Sequence, residues 1–191
     1  IPVEETKKIG ADKVIAVTDA FKTNLISRGI DSSKIEVVTN GSNMELFSPR
    51  EKNQELLKSL GLENKFIIGY IGTHGMAHSL DFIVTSISKI EDKDIHFLFI
   101  GDGAMKEKVL EIANDLKVKN ATFLNPIKKE EVPEYLNICD ISLAPLKKED
   151  NFKTVIPSKI FEASAMRKPT LLGVEGQAQE IIEIHNAGLC F

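Results

Sequence analysis

From position 66 onward the chain repeats one pattern: a short, mainly apolar run, a turn, and then a stretch with helical periodicity. The runs are 66–71, 96–100, 121–124, 141–146 and 170–174. A strand with one wet face alternates apolar and polar residues, and these runs do not, so both of their faces must be covered. The stretches between them predict helices over 79–90, 104–116 and 130–139, another from Pro157, and a last one over about 177–186 before a further strand at Leu189. Strands buried on both faces and separated by helices pair in parallel through crossovers. The expected fold class is therefore α/β, a doubly wound parallel sheet.

Ahead of position 66 the same grammar is shorter. Residues 3–10 read as the tail of a helix and 13–18 as a strand. Thr18-Asp19 opens a helix that stops at Gly29, and a second short strand covers 35–38. The turn cluster Thr39-Asn40-Gly41-Ser42-Asn43 is the best place for a junction, dividing a short unit, 1–40, from a main domain, 41–191. A helix over 52–60 ends at Gly61. The first residue is not Met and the chain stops abruptly at Phe191, so a piece of a longer protein is expected.

Composition narrows the function classes. With 42% apolar and 27% charged residues the chain is ordinary for a globular protein. A formal charge of -4 offers no broad basic excess for nucleic-acid phosphates. No apolar run approaches the ~20 residues that cross a bilayer. Cys139 and Cys190 lie far apart, without metal-type spacing and in apolar neighbourhoods, so two buried thiols in a reducing compartment are expected.

Chemistry in such a sheet sits at the carboxyl ends of the strands, where strand order reverses. The turn Gly72-Thr73-His74-Gly75 follows a strand there and can offer bare backbone N–H groups to phosphate oxygens, or it is simply a tight turn. Pro157-Ser158 reads as a helix start, with the Ser158 hydroxyl as cap. Just inside that start stand Lys159 and Glu162, three apart. A cation and a carboxylate beside a positive helix end suit a diphosphate near Lys159 and a diol such as a ribose near Glu162; the plain alternative is a surface ion pair. Lys147, Lys148 and Lys153 in the preceding loop could meet a phosphate or face water. Asn125-Pro126-Ile127 could present backbone groups to a flat base or form a plain turn. His74 and His78 are four apart, but no carboxylate completes a metal set.

Taken in order, these pieces resemble the retaining glycosyltransferases of family 4, which have the two-domain GT-B architecture. The resemblance is carried by Ala11-Asp12-Lys13-Val14-Ile15-Ala16-Val17-Thr18, Asn40-Gly41 with Phe47-Ser48-Pro49, Tyr70-Ile71-Gly72-Thr73 and Phe99-Ile100-Gly101-Asp102-Gly103. It continues through Cys139-Asp140-Ile141-Ser142-Leu143-Ala144-Pro145, the Pro-Ser-Lys-x-x-Glu helix, Lys168-Pro169, and Glu180 before Ala187-Gly188-Leu189. The Gly-Thr-His-Gly loop and Pro-Ser-Lys-Ile-Phe-Glu look most like the bacterial O-antigen and capsule L-fucosamine (N-acetyl-L-fucosamine) transferases.

The resemblance implies a Rossmann-like nucleotide-sugar domain preceded by a remnant of the acceptor domain. It implies a donor, expected to be a UDP-sugar, bound by Gly72, Thr73, His74, Gly75, Ile127, Lys159 and Glu162. The diphosphate would lie against Gly72, Thr73 and Lys159, the ribose on Glu162, and the base near Ile127. No metal or other cofactor is expected, and the catalytic residues are unassigned, being shared with the acceptor domain. A glycan or lipid-linked acceptor, and a cytoplasmic protein peripheral at the inner membrane through that other domain, complete the expectation. Two positions depart from the family pattern. Thr154 stands where a second Glu is frequent, and the loop after the first strand of the domain carries His74 and His78 where Arg and Lys are common.

Two rivals need different residues. A sugar-nucleotide epimerase of the same architecture needs acid/base groups at the cleft, for which Glu162, Glu175, Glu180 and His74 are the candidates. A non-catalytic nucleotide-binding module of flavodoxin or receiver type is the other; a receiver needs an acidic cluster at the end of its first strand and an Asp at the end of its third, whereas the strands here end in Gly72, Gly101 and Asn125.

Overall fold

The computed structural model describes residues 11–191, so the helix expected over 3–10 lies outside the described residues. Two sheets are present. A small parallel pair joins β1 (Val14–Ala16) to β2 (Ile35–Val37) around α1 (Asp19–Ser27). Its own small core is Ala16, Leu25, Ile30 and Ile35. Thr18 caps α1 by accepting from the Phe21 N–H, and its hydroxyl donates to the Thr154 carbonyl at 3.1 Å. That bond ties the small unit to the long loop of the main domain.

The main domain starts with α2 (Gln54–Leu60) and then alternates strand and helix: β3 (Phe66–Ile71), α3 (Leu80–Ile87), β4 (Ile95–Ile100), α4 (Lys106–Asp115), β5 (Ala121–Leu124), α5 (Val132–Ile138), β6 (Ile141–Pro145), α6 (Lys159–Ala165), β7 (Thr170–Gly173), α7 (Gln177–Ile184) and β8 (Gly188–Cys190). The six strands are parallel, in the order β5-β4-β3-β6-β7-β8. The chain walks from β3 to one edge and then returns to the other side of β3. Strand order therefore reverses between β3 and β6, and the crevice of this Rossmann-like sheet opens beyond their carboxyl ends.

The expected double burial holds. Ile68, Tyr70, Phe97 and Phe99 pack on one face under Leu80, Val84 and Val109 of α3 and α4. Ile67, Leu98 and Ile100 pack on the other, against Leu57 of α2 and Ile138 of α5. Beyond β6, Ala144, Leu172 and Val174 share a core with Ile160 and Ile182 of α6 and α7. Fully burying one such aliphatic side chain contributes about 1.5–3 kcal/mol.

The differences from expectation lie at element ends and have local causes. α2 begins after Asn53, whose side chain accepts from the Leu56 N–H, two residues later than expected. α3 begins at Leu80 because Met76–His78 turn more tightly and Ser79 is left-handed (φ 48°). Ser158 does not cap α6. It has helical dihedrals (φ -58°, ψ -26°) without a side-chain cap bond, and the Pro157 carbonyl accepts from the Ile160 N–H at 3.1 Å. Cys139 is buried as expected, but Cys190 is partly exposed because β8 is an edge strand. Among the described residues no helix is long and apolar enough to cross a membrane.

Candidate functional site

The turn after β3 and the turn after β4 are nested. Gly101 has φ +141°, and a Cβ there would stand 1.9 Å from the Gly72 carbonyl oxygen. Gly72 has φ +144°, and a Cβ there would meet Cε and Nζ of Lys159, each at 2.9 Å. Only glycine adopts these angles without strain, and only glycine leaves this room. The contacts also decide which amides remain available. Gly72 N–H donates to the Ile100 carbonyl and His74 N–H to the Asp102 carbonyl, both at 2.8 Å. Among the described residues the N–H groups of Thr73 and Gly75 have no acceptor, so the turn offers alternate amides rather than a continuous row.

Beneath that turn lies Tyr70, with no exposed surface. Its ring face carries the Lys159 ammonium 3.5 Å from the centroid, and its hydroxyl donates to the Thr73 carbonyl. Lys159 arrives from the first residue of α6, across the strand reversal. Burial holds its ammonium well below the usual lysine range, at about 7, against an upward pull from Glu162. Among the described residues no carboxylate lies within ion-pairing distance of Lys159, so it and Glu162 share one cleft without forming a salt bridge. Glu162 is partly buried, and that burial raises its carboxyl pKa, opposed by Lys159 and then Lys129.

These groups line two adjoining hollows. The outer, of about 400 Å³, is walled by Gly72, Thr73, His78, Lys129, Lys159 and Glu162. The inner, of about 280 Å³, runs on from Gly72 and Thr73 between the Gly101-Asp102 turn and Pro126-Ile127. Lys106 fixes the inner end by donating to the carbonyls of Gly101 (2.6 Å) and Leu124 (2.7 Å), which ties the ends of β4 and β5 together. A larger hollow of about 440 Å³ lies at the opposite edge of the sheet around Lys65, His96 and Asn120. It is remote from the glycine turns after β3 and β4 and from the strand reversal, so the cleft at Gly72 is the better candidate.

Most of the residues singled out from sequence meet here: Gly72, Thr73, Ile127, Lys159 and Glu162 line the trough, and Gly75 closes its turn. His74 does not face it. Its side chain is fully buried, neither ring nitrogen has a partner among the described residues, and burial followed by repulsion from Lys106 and Lys159 depresses its pKa to about 4. Its backbone N–H and carbonyl are both spent, on Asp102 and on the Met105 N–H. The correction is that His74 staples two turns together, while His78 is the histidine on the cleft, its pKa lowered by burial and by Lys159.

Lys147, Lys148 and Lys153 do not line the trough, and Lys153 pairs instead with Asp150 at 2.9 Å and Glu175 at 3.5 Å. Lys129 and Tyr70 were not singled out as site residues. Lys129 sits in an unremarkable lysine pair, but Tyr70 stood one residue before the Ile-Gly turn, where an aromatic ring can back a cation. Among the described residues no three His, Cys, Asp or Glu side chains gather as a metal site would require.

Comparison with known proteins identifies the family and the fold. The family model described as Glycosyl transferases group 1 matches residues 65–191. A putative teichuronic acid biosynthesis glycosyltransferase, TuaH of Bacillus subtilis, is 30% identical over 138 residues, which are 72% of this chain and 34% of that protein. A probable glycosyltransferase, WbjE of Pseudomonas aeruginosa, is 22% identical over 170 residues, 88% of this chain and 42% of that one. The chain thus spans between a third and a half of the length of these relatives. Among solved structures, the Anabaena protein Alr3699/HepE, crystallised with UDP and glucose, superposes with a TM-score of 0.79 at 20% identity, over 94% of this chain and 49% of that one. On the family match to two thirds of its length, with a Rossmann-like sheet of the same fold, this chain belongs to the group 1 glycosyl transferases.

Proposed function

We propose that residues 41–191 form the nucleotide-sugar half of a retaining glycosyltransferase of family 4, and that residues 1–40 are the end of its acceptor half. The reaction moves a sugar from a nucleoside diphosphate, UDP in our reading, to a glycan or lipid-linked acceptor in surface polysaccharide synthesis. The observation that carries this is the Lys159 ammonium, unpaired with any carboxylate among the described residues and aimed across Gly72 at the strand reversal with Glu162 in the same cleft. The donor diphosphate lies on Lys159 and the Thr73 and Gly75 amides. The ribose hydroxyls bond to Glu162, and the base enters the inner hollow beside Ile127.

In such a transfer, negative charge gathers on the departing diphosphate as the anomeric bond breaks. A cation already in place stabilises that charge without reorganisation, which is where the rate acceleration arises. The names of TuaH and of a colanic acid biosynthesis relative in Escherichia coli favour surface polysaccharide as the product class. The Gly-Thr-His-Gly loop and the Pro-Ser-Lys-Ile-Phe-Glu helix support the finer placement among L-fucosamine and N-acetyl-L-fucosamine transferases of O-antigen and capsule assembly. Attachment to the inner membrane would come through the acceptor half. An epimerase is disfavoured because, of its three candidate glutamates, Glu162 alone lines the cleft, with Glu175 paired to Lys153 and Glu180 exposed elsewhere.

Calorimetric titration with UDP, GDP and ADP tests the reading. We expect UDP to bind in the micromolar to millimolar range and Glu162→Ala to abolish that binding. Equal binding by Glu162→Ala, or no binding of any of the three, would sink it.

A further inference from the structure

We propose that Tyr70 is the positioning residue of this cleft: one buried ring sets the Lys159 ammonium through its face and the phosphate-facing turn through its hydroxyl. The proposal rests on the donor reading above and adds a residue to it. Two separate contacts carry it. The first is the Lys159 Nζ, 3.5 Å from the ring centroid and pressed against Gly72. The second is the Tyr70 hydroxyl, which donates to the Thr73 carbonyl.

That second contact has a consequence for the amides. The Thr73 carbonyl and the His74 N–H belong to one peptide plane, and the His74 N–H is bound to the Asp102 carbonyl. The plane is therefore held at both ends. The unclaimed N–H groups of Thr73, before it, and Gly75, after it, are set by default.

The first contact explains why Lys159 is available at all. A lysine three residues ahead of a glutamate on one helix is near enough to pair with it. Here the ammonium rests on an aromatic face, which attracts a cation electrostatically yet makes no hydrogen bond in the way a carboxylate would. The groups facing it are Tyr70 from β3, Gly72, His74 and His78 from the turn, and Glu162 from its own helix. The two histidines have lowered pKa values, and Glu162 stands beyond ion-pairing distance. Its N–H donors thus remain for a ligand, and holding the ammonium in advance reduces the ordering cost of binding.

The test separates a ring that tunes Lys159 from one that merely fills space. Tyr70 is replaced by Phe and by phenylalanines of increasing ring fluorination, which drain the negative face while keeping the shape. A parallel set with ring-fluorinated tyrosines retains the hydroxyl in case phenylalanine unseats the turn. Each is titrated with UDP and with uridine, in the native background and in Lys159→Met. We expect the UDP-to-uridine affinity ratio to fall stepwise, by about tenfold across the series, with uridine binding constant and no dependence on fluorination in Lys159→Met. A ratio that stays flat, or that falls equally in Lys159→Met, would overturn the role given to Tyr70 while leaving the donor reading intact. A native chain that binds neither UDP nor uridine would remove the donor site, and this proposal with it.

Discussion

If Lys159 receives the donor diphosphate, binding must draw a proton from solution. Burial sets its ammonium near a pKa of about 7, against an ordinary lysine value of 10.5. In the free protein it is then roughly half charged at pH 7 and roughly one-tenth charged at pH 8. A bound diphosphate restores the charge, so UDP binding takes up about 0.5 proton at pH 7 and about 0.9 at pH 8. Affinity is greatest below pH 7 and falls by up to tenfold per unit above it, about 1.4 kcal/mol, until the pKa of the bound state is reached. The phosphate of UDP, with a second pKa near 6, is ionised through this window and cannot mimic the effect. The assay is calorimetry at pH 8 in two buffers of different ionisation enthalpy, where the difference in apparent binding heat counts the protons. Lys159→Met should abolish the uptake and flatten the pH profile. Uptake close to zero in the native chain with UDP bound, or uptake that survives Lys159→Met, would refute the reasoning.

The same depressed pKa predicts an effect on stability. Between about pH 7 and 10.5 the unfolded chain holds a proton on Lys159 that the folded chain does not, so stability rises with pH through that window. Lys159→Met should therefore be more stable than the parent at pH 7, by the order of 2 kcal/mol once the ring face and partial exposure are allowed for, and chemical denaturation reads this directly. Gly101→Ala should cost 3 kcal/mol or more, on the order of a 10 °C fall in Tm, since its Cβ would collide with the Gly72 backbone oxygen; a fall of under about 2 °C would contradict the nested turns. Cys139 is fully buried and its thiol is pushed up to about 12, whereas Cys190 is partly exposed. A thiol reagent at pH 8 should modify Cys190 first and reach Cys139 only on unfolding; equal rates at both would count against the packing described.

How far the fold could be read from the sequence follows from where the physics is local. The mainly apolar runs at 66–71, 96–100 and 141–146 read as strands covered on both faces, and the main sheet is parallel throughout. Helix ends were less legible, because they turn on single residues whose geometry depends on neighbours. Asn53 competes with Lys52 as the start of α2, and the left-handed Ser79 delays α3. Ser158 looked like a cap, but no propensity shows that its hydroxyl makes no bond to the first turn. The strand reversal between β3 and β6 is also invisible locally, since it is a property of pairing between segments some seventy positions apart.

The cleft repeats this division between what is local and what is not. Gly72, Lys159 and Glu162 could be named because each sits at a fixed offset from a strand or helix end, and topology then brings those ends together. The histidines could not be sorted in that way. His74 and His78 differ by one turn of chain, yet one is sealed beneath the Asp102 backbone and the other faces the cleft. What decides between them is the spent backbone of His74. Its N–H donates to the Asp102 carbonyl and its carbonyl accepts from the Met105 N–H, and the room above Gly103, where a Cβ would stand 2.6 Å from the His74 carbonyl oxygen, lets the two turns close together. A backbone pinned to a second turn fixes the direction of the Cα–Cβ bond, and the His74 ring leaves along it into the interior. The site thus owes its shape to glycines that place one backbone against another, and its buried cation to Lys159, which the fold keeps from its own helix neighbour.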